Sequence, residues 1–205
     1  MSLSNRHFYM VLLSILSAVF VWSAINPADR LTWVLEVAPV LIVLPILVFT
    51  YHSFVFTPLV YVLILTHALI LLVGGHYTYA EVPWFNWLRD TYELSRNYYD
   101  RVGHFVQGFV PAMVAREILL RKSPLVSGRW LFFIVSCICL SISAVYEFIE
   151  WWVAAYEGGA ADAFLGTQGD VWDTQWDMLM ALVGAVIAQV FLAKIHDRQM
   201  TNVSR

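Results

Sequence analysis

The chain of 205 residues is 60% hydrophobic and 16% aromatic but only 13% charged. A soluble domain is about 45–50% apolar and about 25% charged, so a large soluble domain is excluded and a membrane protein is indicated. A formal charge of −3 gives no basic field for nucleic acid, and no Gly-rich phosphate loop occurs.

The first apolar run, 8–24, follows Arg6 and His7 and has a signal-peptide look, but it exceeds the usual length of such a core and no Ala-x-Ala site follows. It is read as an uncleaved helix. A turn signal, Asn26-Pro27-Ala28-Asp29-Arg30, precedes runs at 31–50 and 54–74. The outer loop 75–101 then mixes aromatics with charges, and is read as an interfacial segment or a cap over the bundle mouth. Runs at 102–120 and 130–153 flank Ser123-Pro124. Cys137 and Cys139 in the latter point to different faces and are read as apolar filler. Loop 154–172, with Gly158, Gly159, Gly166 and Gly169, suits a lid, and the last run is 173–193. The expectation is an all-α, polytopic integral membrane bundle of six transmembrane helices forming one domain over 1–205.

An even number of spans puts both termini on one side. Arg6, Arg116, Arg121, Lys122, Arg129, Lys194, Arg198 and Arg205 share the side of the termini, whereas Arg30, Arg89, Arg96 and Arg101 lie opposite. The positive-inside rule therefore places both termini in the cytoplasm. All the tryptophans except Trp130 fall at the outer end of this topology.

Acidic residues at mid-span cost about 2.5–3.5 kcal/mol each on insertion scales, so their positions need a cause. Asp100, His104 and Gln107 form one helical stripe; Ser143, Glu147 and Glu150 a second; Asp170, Asp173 and Asp177 a third. His76 sits just after the third span. The topology brings all four sets to the outer end. Crowded carboxylates repel unless protons or a cation neutralise them, and a divalent metal is the economical resolution. Imidazole with carboxylates suits Zn²⁺, Mn²⁺ or Fe²⁺; carboxylates alone suit Mg²⁺ or Ca²⁺.

The expected ligands are His104, Glu147, Asp173 and Asp177, with Glu150 or Asp100 activating water. His76 and Tyr79 would close the site, and Trp84, Trp87 and Trp151 would line lipid. Two plainer readings stand beside this one: a solvated rim in which the carboxylates pair with Arg89, Arg96 or Arg101, and acids that act as hydrogen-bonding glue between helices. His52 and His67 read as packed histidines, His7 and His196 as surface residues of basic tails. No HExxH or GxSxG motif is present.

The stretches Asp100-Arg-Val-Gly-His104-Phe-Val-Gln-Gly-Phe, Tyr146-Glu-Phe-Ile-Glu-Trp-Trp and Gly169-Asp-Val-Trp-Asp-Thr-Gln-Trp-Asp177-Met-Leu-Met-Ala-Leu-Val-Gly184 resemble the YjdF-like bacterial inner-membrane proteins. The second half is distantly similar to the VanZ-like proteins linked to glycopeptide resistance. The resemblance implies a compact inner-membrane bundle with an outward-facing His/Glu/Asp site, in which His104, Glu147 or Glu150, and Asp177 with Gly184 match the VanZ-like positions. Glu150 and Ala181 stand where VanZ-like sequences usually carry Gln and Asn. The functional expectation is metal-assisted hydrolysis or transfer on a membrane lipid or lipid-linked substrate. A cation or proton carrier and a non-catalytic sensor or structural partner are the alternatives.

Overall fold

A computed structural model describes residues 3–157 and 167–203. Among these residues the regular elements are all helices: α1 (Leu3–Ala24), α2 (Arg30–Thr50), α3 (Pro58–Tyr77), the short α4 (Pro83–Thr91), α5 (Tyr99–Lys122), α6 (Arg129–Glu157) and α7 (Asp173–Val203). The helix starts follow local chemistry. Asp29 caps α2 by accepting the Thr32 N–H at 2.7 Å, and Thr57 caps α3 immediately before Pro58, whose missing N–H is no loss in a first turn. That cap moves the start of the third run from 54 to 58. The last helix continues ten residues past 193, to Val203. Residues 158–166 of the expected glycine-rich lid, with Gly158, Gly159 and Gly166, lie outside the described residues.

Five helices, α1, α2, α3, α6 and α7, are long and apolar enough to cross a membrane. The expected sixth, α5, has the length at 24 residues but not the composition, because it carries Asp100, Arg101, His104, Arg116, Glu117, Arg121 and Lys122. The reason is its position. It packs against α3, α6 and above all α7, so most of its polar groups face protein, where partners replace the water that lipid cannot supply.

The α5–α7 seam is closed by small residues. A Cβ on Gly108 would collide with the Ala181 carbonyl, and one on Gly184 with the Phe105 carbonyl, so the two backbones touch where side chains would hold them apart. One apolar core, with Val60, Ala112, Met113, Val135, Cys139, Ala185 and Ala188, ties α3, α5, α6 and α7 together. A second, with Val37, Leu71, Leu72, Tyr79 and Tyr99, ties α2 and α3 to the turn after α3 and the start of α5. Cys139 is buried and Cys137 exposed, as their spacing required.

The start of α1 and the end of α7 lie at the same end of the bundle. Tyr9 of α1 meets Tyr51 and Tyr61, and Gln199 of α7 accepts the Leu59 N–H at 2.8 Å.

Candidate functional site

The opposite end of the bundle gathers the three acidic stripes. The N-terminus of α5, the C-terminal half of α6 and the N-terminus of α7 meet there, so Asp100, His104, Glu147, Glu150, Asp173 and Asp177 come together. Two arginines enter the same space. Arg101 donates to Asp173 at 2.5 Å, to Asp170 at 3.1 Å and to Asp177, and Arg96 pairs with Asp173, with Asp100 at 3.6 Å and with Asp170 at 3.6 Å. Both arginines are buried. The neighbouring Asn97 fixes their loop, donating to the Val82 carbonyl and to Asn86, while its backbone is clasped from both sides by Gln168.

The expected solvated rim is thus half realised: Arg96 and Arg101 engage the α7 aspartates, but in a buried network, and Arg89 pairs with the exposed Asp90 outside it. Asp173, expected as a metal ligand, is taken up by both guanidiniums and belongs to neither group of residues close enough to share one ion. Those groups are Asp100, His104 and Asp177, and His104, Glu147 and Glu150.

His104 stands between them. Its Nε2 faces Asp100 at 3.5 Å and Asp177 at 3.9 Å, and its Nδ1 faces Glu147 Oε1 at 3.8 Å. Both His104 Nδ1 and Glu147 Oε1 are buried without a hydrogen-bond partner, and so are Gln107 Oε1 and Ser143 Oγ on the same two stripes and His67 Nε2 on α3. Buried polar atoms in native proteins are normally satisfied by protein, water or an ion, and these atoms on facing stripes have no protein partner. The charge agrees. Asp100, Glu147, Glu150, Asp170, Asp173 and Asp177 set six carboxylates against the two guanidiniums, a formal excess of four negative charges before His104 is counted. Fully ionised, such a cluster would attract a cation.

Not every expected residue joins the site. His76 turns toward α1, its Nδ1 at 3.0 Å from the Ser23 carbonyl and its ring 4.5 Å from that of Trp22; it closes the junction of α1 and α3 and is not in the acidic cluster. Tyr79 is 5% exposed, its ring wedged between Gly74 and Gly103 and edge-on to Tyr99 at 5.5 Å. Burial holds its phenol well above the usual value. It packs α5 against α3. Trp84, Trp87 and Trp151 are exposed on the outside of the bundle.

Sequence reasoning missed the cluster at the end of the bundle where α1 starts and α7 ends. His196, expected on the surface, is fully buried, as is Glu117, and Arg116 is nearly so. Glu117 accepts from the Thr57 N–H at 3.0 and 3.1 Å, the Thr57 hydroxyl at 2.8 Å, Arg121 at 2.6 Å and His196 Nε2 at 2.9 Å. Arg116 lies 2.9 Å from His196 Nδ1. Arginine can only donate, so Nδ1 is the acceptor and Nε2 carries the proton given to Glu117. The adjacent Arg116-Glu117 pair, near the end of the run 102–120, was the available signal.

Comparison with known proteins agrees with the architecture. Residues 8–198 match the family described as "Predicted membrane protein (DUF2238)". The chain is 51% identical over 185 residues, 90% of its own length and 88% of the relative's, to the inner membrane protein YjdF of Escherichia coli (strain K12). No solved structure matches. With its acidic cluster and its apolar helices, the chain belongs to the DUF2238 family of predicted membrane proteins.

Proposed function

We propose that the chain is an inner-membrane protein of six spans, α5 being the sixth, with both termini cytoplasmic, whose outward-facing site binds a divalent metal and acts on a lipid or lipid-linked substrate by metal-assisted hydrolysis or transfer. The observation that carries this reading is the pair His104 Nδ1 and Glu147 Oε1, both buried, both unpartnered and 3.8 Å apart, with Glu150 close enough to share the same ion. In this reading His104, Glu147 and Glu150 hold the ion. Asp100 and Asp177 face the other ring nitrogen and orient the imidazole, the usual arrangement of a ligating histidine. Arg96 and Arg101 neutralise the α7 aspartates and fix the end of α7.

One imidazole with carboxylates suits Zn²⁺ or Mn²⁺, and Mg²⁺ if the carboxylates dominate. Such an ion lowers the pKa of bound water toward about 7 and polarises a carbonyl or phosphoryl oxygen. It would supply the positive charge that the acidic cluster lacks. Proximity to acyl chains is the support for a lipid substrate. The test is metal content of the detergent-purified protein, wild type against His104→Ala and Glu147→Gln. Stoichiometric metal in the wild type alone supports the reading; a metal-free wild type after addition of Zn²⁺ or Mn²⁺ overturns it.

A carrier is the second reading. It is favoured by the buried Glu117–His196 pair at the other end of the same seam and by the buried Gln189–Ser136 hydrogen bond between the two ends. The backbone contacts of Gly108 and Gly184 across the seam weigh against it, because they leave no room there for an ion to pass.

A further inference from the structure

Glu36 is a buried carboxyl that none of the three acidic stripes contains. It lies on α2 and is 6% exposed. Acids within spans are rare and costly, and those that persist have a partner that explains them. α2 packs chiefly on α3, and the approach is close at Gly75, where an added Cβ would come within 3.3 Å of the Glu36 Cβ and 3.1 Å of Val37 Cγ2. The stem of Glu36 is thereby seated against the backbone of α3, while its head reaches α6. There the Tyr146 hydroxyl donates to Glu36 Oε2 at 3.1 Å.

Tyr146 also meets α5. Its ring centre lies 6.2 Å from that of His104, with the two planes at 76°, an edge-to-face contact. The imidazole depends on such a contact for its bearing. Carboxylate oxygens lie 3.5 and 3.9 Å from its Nε2 and 3.8 Å from its Nδ1, all longer than the about 2.7–3.2 Å of an N–H···O hydrogen bond. At those lengths the acids attract the ring from both sides without fixing its tilt. Rotation about the bond to Cβ would carry Nδ1 away from Glu147, and the neighbouring aromatic ring opposes that rotation by contact. How firmly it does so depends on what holds the tyrosine. A phenol whose hydroxyl is bonded to a seated carboxyl has its ring held at both ends.

We propose that Glu36 is a positioning residue of the candidate site: through the Tyr146 hydroxyl it fixes the His104 ring with Nδ1 toward Glu147. α2 is thereby joined to the acidic cluster. What Glu36 supplies to Tyr146 is an acceptor, so Gln, which keeps a carbonyl oxygen, can replace it and Leu cannot. The consequence for function rests on the reading of His104 as a metal ligand; the bearing of the ring does not require an ion.

The test uses the full-length protein carrying isotope-labelled histidine in phosphatidylcholine nanodiscs, at one pH and without metal. The His104 ring signals in nuclear magnetic resonance are identified by their loss in His104→Ala. Tyr146→Phe and Glu36→Leu both keep the aromatic ring and remove the hydrogen bond, one without and one with loss of a carboxyl. Both should displace the His104 signals by the same amount, the double variant should displace them no further, and Glu36→Gln should leave them in place. Zn²⁺ binding should weaken about tenfold in each single variant and no further in the double, as for other residues that orient a ligand. Unmoved His104 signals in variants that merely melt at lower temperature would make the pair packing glue between helices and overturn the proposal. A Glu36→Gln protein that behaves like Glu36→Leu, additive shifts in the double variant, or full Zn²⁺ affinity in a variant whose ring has moved would overturn it as well. A wild type that binds no Zn²⁺ but shows the coupled shifts would sink the metal reading and leave the positioning role standing.

Discussion

Glu117 gives the sharpest test of how the bundle is held together. Its carboxylate serves four donors, the Thr57 N–H and hydroxyl, Arg121 and His196, and so ties α5 to the start of α3 and the end of α7. Glu117→Ala leaves the Thr57 N–H and His196 Nε2–H buried without acceptors, at about 1–3 kcal/mol each, in line with the about 3–5 kcal/mol for removing one partner of a buried pair. At about 2–4 °C per kcal/mol for a chain of this size, the melting temperature of the detergent-purified protein should fall by about 10 °C. Glu117→Gln keeps the shape but turns an amide N–H₂ toward a donor, and should cost about 1–3 kcal/mol. His196→Ala should be non-additive with Glu117→Ala, with a coupling of about 0.5–3 kcal/mol. A Glu117→Ala protein within about 0.5 kcal/mol of wild type, or a strictly additive cycle, would refute the network as a source of stability.

Other outcomes follow from the same packing. Gly184→Val drives a branched side chain into the Phe105 carbonyl, and since ordinary overpacking already costs about 1–3 kcal/mol, the monodisperse peak in size-exclusion chromatography should be lost; Val190→Ala, on the exposed face of the same helix, should keep it. Asp29→Ala removes the α2 cap and should cost about 1 kcal/mol in thermal unfolding. The cap bond lowers the Asp29 pKa below its ordinary 3.8. Its stabilisation is therefore complete above the unfolded value and lost as pH falls through the lower folded value, so wild type and variant should converge under strongly acidic conditions. Trp84 and Trp87 are exposed on α4, with ring centres 5.3 Å apart. Their fluorescence should be quenched by lipids brominated near the headgroup and little by lipids brominated at the chain ends, and the reverse order would contradict an interfacial α4.

The level of the acidic-stripe residues along their helices was legible in the sequence, and their azimuth was not. The spacing of Asp100 and His104, of Glu147 and Glu150, and of Asp173 and Asp177 specified stripes, and alternation of helix direction put those stripes at one level, where the structure assembles them. Helical periodicity does not say which neighbour faces a stripe. His76 has the right depth but the wrong bearing, toward Trp22 and Ser23. Arg96 and Arg101 read as rim residues, because nothing local reveals that the loop anchored by Asn97 folds them inward onto Asp173. His196 was hidden for another reason. It follows Lys194 in a tail that reads as solvated, yet α7 runs on to Val203 and carries it against Glu117. The polar composition of α5 is the sequence trace of both clusters, since a helix enclosed by protein need not be apolar.

The central claim is that His104 Nδ1 and Glu147 Oε1, which face each other without a hydrogen-bond partner, hold a divalent cation. Elemental analysis of the purified protein tests it directly, with His104→Ala and Glu147→Gln alongside and Tyr79→Phe as a folded control that leaves the cluster intact. The account predicts about one equivalent of transition metal in wild type and control and a loss of at least about tenfold in the two ligand variants, in the range expected when a metal site is disrupted. A wild type that stays metal-free after reconstitution with Zn²⁺ or Mn²⁺, or variants that retain full metal, would contradict it.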